Sequence, residues 1–337
     1  MVNKNIFTQI TESDGKIHSN VEYVATREGF GRALLELGAE NKNVVALCAD
    51  LTESVQMQKF KDAYPERFVE IGIAEQNMAG VASGMAAMGL LPVMASYAAF
   101  NPGRNWEQIR TTICYNNQKV IIVGAHAGLS VGPDGGTHQA LEDITIMRVL
   151  PNITVLSPSD ATEAYALMKQ STQIDGPVYL RLAREKSPML YEKNYVPKIG
   201  KAEIVYVSKS KSAQKVGIIA TGPVLYEVLL AARELDNANI QVGVLNVHTI
   251  KPIEQSQIVQ FATSFPNIIT VEEGQVAGGL GGLVAEILAQ HKPTRMIMLG
   301  SQDRYGQSGT VAELYHEYGI DAQAIVRTAV QHVSTYF

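Results

Sequence analysis

Residues 69–84 read V-E-I-G-I-A-E-Q-N-M-A-G-V-A-S-G, and the fold expectation starts there. Phe68, Val69 and Ile71 form a short apolar strand, and an Ala, Met and Gly run after Gln76 reads as a helix of small residues. A single carboxylate, Glu75, stands at their junction. Small residues let the helix pack closely and draw Glu75 partly out of water. A desolvated carboxyl has a raised pKa and can hold or share a proton near neutrality. An acidic residue here also simply favours the positive end of the helix it precedes, and on this stretch alone that plainer role is the expected one. Gly80 and Gly84 share one face of that helix; they suit close contact at an interface or inside the chain equally.

Outward from this unit the strand–helix rhythm repeats. Helix is expected over 30–37, 76–88, 106–115 and 161–170. Strand is expected over 44–48, 68–71, 91–96, 120–123, 153–156 and 178–182. The β-branched run at 120–123 is typical of a central parallel strand. Periodicity stops between about Ser187 and Lys201, where Pro188, Pro197, Lys193 and Lys198 fall. A second series comes next, with strands at 216–220, 241–247, 268–272 and 295–299 and helices at 226–235 and 283–288. The expected fold is α/β with two domains, each a mostly parallel sheet with helices on both faces. The expected boundaries are an arm over 1–20, a first domain over 21–186, a linker over 187–201 and a second domain over 202–337. G-G-L-G-G at 278–282 lacks the G-x-G-x-x-G spacing, and close helix packing is expected there rather than a phosphate cradle.

A length of 337 residues fits two domains, and 46% hydrophobic with 18% charged residues fits a sizeable globular core. A net charge of −5 gives no electrostatic case for nucleic acid or an anionic membrane. No apolar run approaches the roughly 20 residues that span a bilayer, and residues 1–20 lack a signal-like apolar core. Cys48 and Cys114 show no metal spacing, so a reduced, cytoplasmic setting is expected.

An ordered set of motifs runs from about Val24 to about Arg327. A-T-R-E holds Arg27, C-A-D-L-T-E-S holds Asp50 and Ser54, and G-I-A-E-Q holds Glu75. A-S-Y-A-A-F holds Tyr97 and Phe100, G-R-N-W-E-Q-I-R holds Arg104 and Arg110, and P-D-G-G-T-H-Q holds Asp134 and His138. D-G-P-V-Y-L-R-L-A-R ends at Arg184, and Q-D-R-Y-G-Q-S-G closes the series. In this order the motifs resemble the transketolase family, but only the second half of a full-length member.

That resemblance implies thiamine diphosphate as cofactor. Glu75 matches the carboxyl that hydrogen-bonds the aminopyrimidine ring and drives it into its basic imino form. Tyr97 and Phe100 match the aromatic pair flanking this ring, although either is as readily an ordinary core residue. The family's third aromatic has no clear counterpart, because N-P-G-R precedes Trp106. Asp50 matches an acid that organises the cofactor site, and otherwise caps the segment after it. Arg27, Ser54, His138 and Arg184 match residues that grip a substrate phosphate, with Arg104 a weaker candidate near the same channel. Asp134 matches the residue that hydrogen-bonds a hydroxyl of the ketose, though it also sits in an ordinary turn sequence. Glu75 and His138 are the expected catalytic residues.

No G-D-G occurs in the sequence, whereas the family holds the diphosphate and its Mg2+ (or Ca2+) through that motif and a later Asn. The resemblance therefore implies the C-terminal subunit of a split transketolase, with an N-terminal partner, an α2β2 assembly and sugar phosphate substrates of the pentose phosphate pathway. The alternatives are a 1-deoxyxylulose-5-phosphate synthase-like enzyme, a 2-oxoacid dehydrogenase β subunit, and a non-catalytic binding protein on the same fold.

Overall fold

The computed structural model describes residues 21–334; the arm expected over 1–20 lies outside them. The first half opens with β1 (Tyr23–Ala25), α1 (Thr26–Glu40), β2 (Val44–Cys48), α2 (Gln58–Ala63) and β3 (Phe68–Glu70). Next come α3 (Glu75–Ala87), β4 (Leu91–Tyr97), and α4 (Trp106–Gln108) running into a π-helical stretch (Ile109–Cys114). It closes with β5 (Ile121–Ala125), α5 (Asp143–Arg148), β6 (Thr154–Leu156), α6 (Ala161–Ser171), β7 (Val178–Arg181) and β8 (Lys186–Pro188). The second half contains β9 (Glu203–Val207), β10 (Lys215–Ala220), α7 (Leu225–Asn237), β11 (Gln241–Asn246) and β12 (Thr249–Lys251). After these come α8 (Gln255–Ser264), β13 (Asn267–Gln275), α9 (Leu280–His291), β14 (Arg295–Ser301), α10 (Val311–Glu317) and α11 (Ala322–Ser334).

The larger sheet has the order β12-β6-β7-β5-β4-β2-β3 and is parallel except for β12. Strand β2 is buried throughout and shows why. Val44, Ala46 and Cys48 pack on one face with Phe30, Leu34 and Leu167, while Val45 and Leu47 pack on the other with Met78, Ile109 and Ile113. A strand covered on both faces must be apolar at every position, and alternation then divides it between two helix layers. The smaller sheet, β14-β13-β10-β11-β9, is parallel except for β9. Both sheets thus match the expected architecture, each with one antiparallel edge strand.

The halves are joined more closely than a bare linker would allow. Strand β12 comes from the second half yet adds to β6 of the larger sheet. Of the stretch read as a linker, Ser187 and Pro188 pair with β1, and Tyr191 and Tyr195 stack at 3.9 Å. Asp160 caps α6 through the N–H of Glu163 at 2.7 Å, and its second oxygen accepts from the N–H groups of Leu190 and Tyr191 at 2.7 and 2.8 Å. Glu163 is fully buried. It accepts from Ser159 N–H and Oγ at 2.7 and 2.8 Å, and from Asn246 Nδ2 of β11 at 3.0 Å. Burial pushes its carboxyl up to about 8 and that of Asp160 up to about 6.

The glycine run before α9 serves packing. Glu272 accepts from Leu280 and Gly281 N–H at 2.9 and 2.8 Å, so the chain's own carboxylate fills the helix N-terminus. A Cβ at Gly279 would lie 2.1 Å from Glu272 Oε2. At Gly80 and Gly84 a Cβ would meet nothing within 4 Å among the described residues, so those two glycines serve no contact with them.

Candidate active site

Strands β4 and β5 are neighbours in register, Tyr97 opposite Ala125, and the loops after both strands leave the same edge of the sheet. After Tyr97 the chain turns at once: the N–H groups of Phe100 and Asn101 donate to the Tyr97 carbonyl at 2.8 and 2.7 Å. Two buried asparagines pin this turn. Asn101 Nδ2 donates to the Val123 carbonyl of β5 at 3.1 Å. Asn105 Nδ2 donates to the Glu75 carbonyl at 3.1 Å and to Asn101 Oδ1 at 3.0 Å. The segment is thereby fastened between the central strand and the start of α3. Motif matching singled out neither asparagine.

Glu75 is the first residue of α3 and is 1% exposed. Its Oε2 accepts from Arg104 Nη1 at 2.8 Å, while its Oε1 has no hydrogen-bond partner among the described residues. The Arg104 guanidinium lies 4.6 Å above the Phe100 ring. Arg104, a weaker candidate for the substrate channel, sits on the carboxylate and over the Phe100 ring, and no hydrogen bond or ion pair ties it to Arg27, Ser54, His138 or Arg184.

Tyr97 and Phe100 lie 6.1 Å apart with rings inclined by 22°, and His138 stands edge-on to them at 6.0 and 5.6 Å. A further residue joins them: His126 stacks on Tyr97 at 3.8 Å. It is 1% exposed, holds a left-handed φ of 53°, and leaves Nδ1 without a hydrogen-bond partner. Burial pushes its pKa down to about 3, helped by the charges of Arg27, Arg184 and His138. Backbone strain and an orphaned polar atom at the end of a central strand mark functional positions. The sequence signal was only a histidine directly after the apolar run of β5.

The proposed phosphate residues do converge. Arg27, in the first turn of α1, donates to the carbonyls of Ser54 and Arg184 at 2.6 and 3.1 Å. Burial and the Arg184 charge lower its pKa. Arg184 lies 3.7 Å from Asp134 and donates to Glu185 at 2.6 Å. Asp134 and His138 ride on a loop with glycines at φ 73° (Gly132) and 76° (Gly135), which only glycine adopts freely. Gln139 ties that loop to the second domain, donating to the carbonyl of Gln307 at 3.0 Å. Ser54 offers its carbonyl, not its hydroxyl, to Arg27. Asp50 is exposed, and no hydrogen bond or ion pair ties it to Glu75, Tyr97 or Phe100.

The side chains here are of the kind that suits a flat heterocycle. The free Oε1 of a buried carboxyl faces hydrogen-bond chemistry, and Phe100 offers an aromatic face. Among the described residues no group of three or more His, Cys, Asp or Glu is placed to hold a metal ion, and no helix is long and apolar enough to cross a membrane.

The chain is an α/β domain bearing this cluster at one edge of its sheet, succeeded by a second α/β domain. Family models agree: "Transketolase, pyrimidine binding domain" matches residues 22–189, and "Transketolase, C-terminal domain" matches 205–325. The chain belongs to the transketolase family. It is 37% identical to a putative transketolase C-terminal section of Methanocaldococcus jannaschii, over 92% of this chain and 97% of that protein. It is 36% identical to a 6-deoxy-6-sulfo-D-fructose transketolase subunit of a Clostridium species, over 90% of this chain and 92% of that one. A solved split-gene transketolase, described as an inactive β4 tetramer, superposes with a TM-score of 0.83 at 38% identity, covering 92% of this chain and 99% of its own.

Proposed function

We propose that this chain is the C-terminal subunit of a two-subunit, thiamine-diphosphate-dependent transketolase of the cytoplasm, moving a two-carbon ketol unit from a ketose phosphate to an aldose phosphate. One observation carries this function: a wholly buried carboxyl with a free oxygen, set at a helix start against an aromatic cleft. When bound, the cofactor supplies the nucleophile and electron sink for breaking and making the carbon–carbon bond. Glu75 would hold a proton against a nitrogen of its aminopyrimidine ring, and Tyr97 and Phe100 would flank that ring. His138, edge-on to both rings, is placed to exchange protons with sugar oxygens. Arg27 and Arg184 gather positive charge for a phosphate, Asp134 is the group for a sugar hydroxyl, and neutral His126 adds a polar atom to the same wall. Asp50 would organise the cofactor from the rim.

The diphosphate and its Mg2+ (or Ca2+) fall to an N-terminal partner, because this sequence has no G-D-G. A relative described as inactive when assembled only with its own kind supports that division of labour. The expected assembly is α2β2. The test mixes this chain with the subunit bearing G-D-G, thiamine diphosphate and Mg2+, and supplies xylulose 5-phosphate with ribose 5-phosphate. Turnover should need both subunits. Turnover by this chain alone, or only with pyruvate and glyceraldehyde 3-phosphate, overturns the proposal.

A further inference from the structure

Arg104 makes two contacts in the slot, one on the Phe100 face and one on the carboxyl of Glu75. Its planar guanidinium lies over Phe100 at 4.6 Å and donates to Glu75 Oε2 at 2.8 Å. We propose that Arg104 is a resident latch of the aminopyrimidine slot, holding the place of the heterocycle until the cofactor displaces it; this rests on the function proposed above.

Geometry makes the two occupants exclusive. A guanidinium 4.6 Å over the Phe100 ring takes the stacking distance that a flat heterocycle needs on that face. The same group fills Glu75 Oε2, so a heterocycle stacks on Phe100 beside Glu75 only when Arg104 has swung away.

The latch also gives Glu75 a counter-charge. A carboxylate 1% exposed among aromatic rings is costly without a counter-charge. Arg104 supplies that charge from the open side, its own side chain 45% exposed. Its departure needs no backbone motion. Asn101 and Asn105 pin the turn on either side, and among the described residues only Glu75 and Phe100 hold the guanidinium. Lysine could not replace it fully, because an ammonium pairs with the carboxylate but does not lie flat on a ring.

The test is calorimetric titration of thiamine diphosphate, with Mg2+, into the assembly of this chain and its partner subunit. Removing the latch with Arg104→Met should tighten the Kd about tenfold, the order of one charge-assisted hydrogen bond to be broken. Arg104→Lys should fall between that variant and wild type. In a Glu75→Gln background the effect of Arg104→Met should vanish, since an amide has no charge to latch. Melting curves establish that each variant is folded, and Arg104→Lys carries the test should Arg104→Met not fold. Wild-type binding with an unchanged or weaker Kd for the Arg104 variants overturns the latch and leaves the proposed function standing. An assembly that binds no cofactor with or without Arg104 overturns both.

Discussion

Replacing Glu163 by glutamine should stabilise the chain at alkaline pH, by an amount set by its surroundings. Glu163 is wholly buried where α6 meets β11, and burial lifts its carboxyl from an ordinary 4.5 to about 8. Between those values the folded chain keeps a proton that the unfolded chain has released. Stability from this group is therefore complete below about pH 4.5 and is lost as pH rises towards 8, by about 1.4 kcal/mol per pH unit. Asp160 adds a similar slope only below about 6, and Glu272, near 7, contributes equally to both proteins. From pH 6.5 to 8 the wild type should thus lose on the order of 2 kcal/mol relative to Glu163→Gln, or roughly 4 °C in Tm. The amide oxygen keeps the two Ser159 donors. Its N–H needs the Asn246 amide to turn over, so that Asn246 Oδ1 accepts from it and from the Tyr191 hydroxyl, to which Asn246 Nδ2 now donates at 2.8 Å. That rearrangement costs the same at every pH and leaves the slope unchanged. Unfolding monitored by circular dichroism across this range checks it. Parallel pH curves for the two proteins would mean that Glu163 is ionised in the fold, and the reasoning would fail.

His126 should remain neutral in the folded chain, so its imidazole resonances should not titrate between pH 5 and 8; a midpoint near 6.5 would contradict the burial that pushes it to about 3. Asp160→Ala strips the acceptor from three backbone N–H groups and should cost about 3 kcal/mol or more in urea unfolding, with Asp160→Asn milder because it keeps one acceptor. Gly279→Ala places a methyl 2.1 Å from Glu272 Oε2 and 2.6 Å from the Gln275 carbonyl, and should lower thermal stability by about 2 kcal/mol as that carboxylate is expelled from the α9 N-terminus. Gly84→Leu, facing open space on α3, should leave the melting of the isolated chain nearly unchanged yet weaken its assembly with the partner in size-exclusion chromatography.

The sheets were legible because each central strand is a short, continuous apolar run; β2, β4 and β5 fall within a residue or two of expectation. Helix α1 begins at Thr26 rather than near Phe30, because what buries its first turn is tertiary. A Cβ at Gly29 would lie 2.0 Å from the Ala161 carbonyl of α6, a contact no local periodicity announces. Strand β12 escaped notice for the same reason: three residues join a sheet whose other strands lie at least 68 positions earlier. At the site, the motifs picked out Glu75, Tyr97, Phe100 and His138, and the structure sets the three rings of Tyr97, Phe100 and His138 into one cluster. They did not pair Arg104 with Glu75. That pairing depends on where Asn101 and Asn105 fasten the turn, and the asparagines' partners are carbonyls on two other elements.

The helix that presents Glu75 buries one face, with Met78, Ala79 and Ala82, and leaves the opposite face uncovered among the described residues. On α3, Gly80 and Gly84 face open space, and Ile73 before it and Met88 after it are 73% and 83% exposed. Arg104 reaches Glu75 from a side chain that is itself 45% exposed, so its end of the ion pair is open to solvent while Glu75, 1% exposed, is not. In the proposed enzyme a partner seated on this face would cover the apolar side chains of Ile73 and Met88. It would also lower the dielectric around the ion pair, and a drier pair is held more tightly. Docking by itself would then close the latch, not open it. The cofactor, with its charged tail bound to the partner, has to bring enough binding energy from that tail to break the pair. On this logic the diphosphate provides the affinity and the aminopyrimidine spends part of it, so thiamine without its diphosphate should fail to displace Arg104 even in the complete assembly.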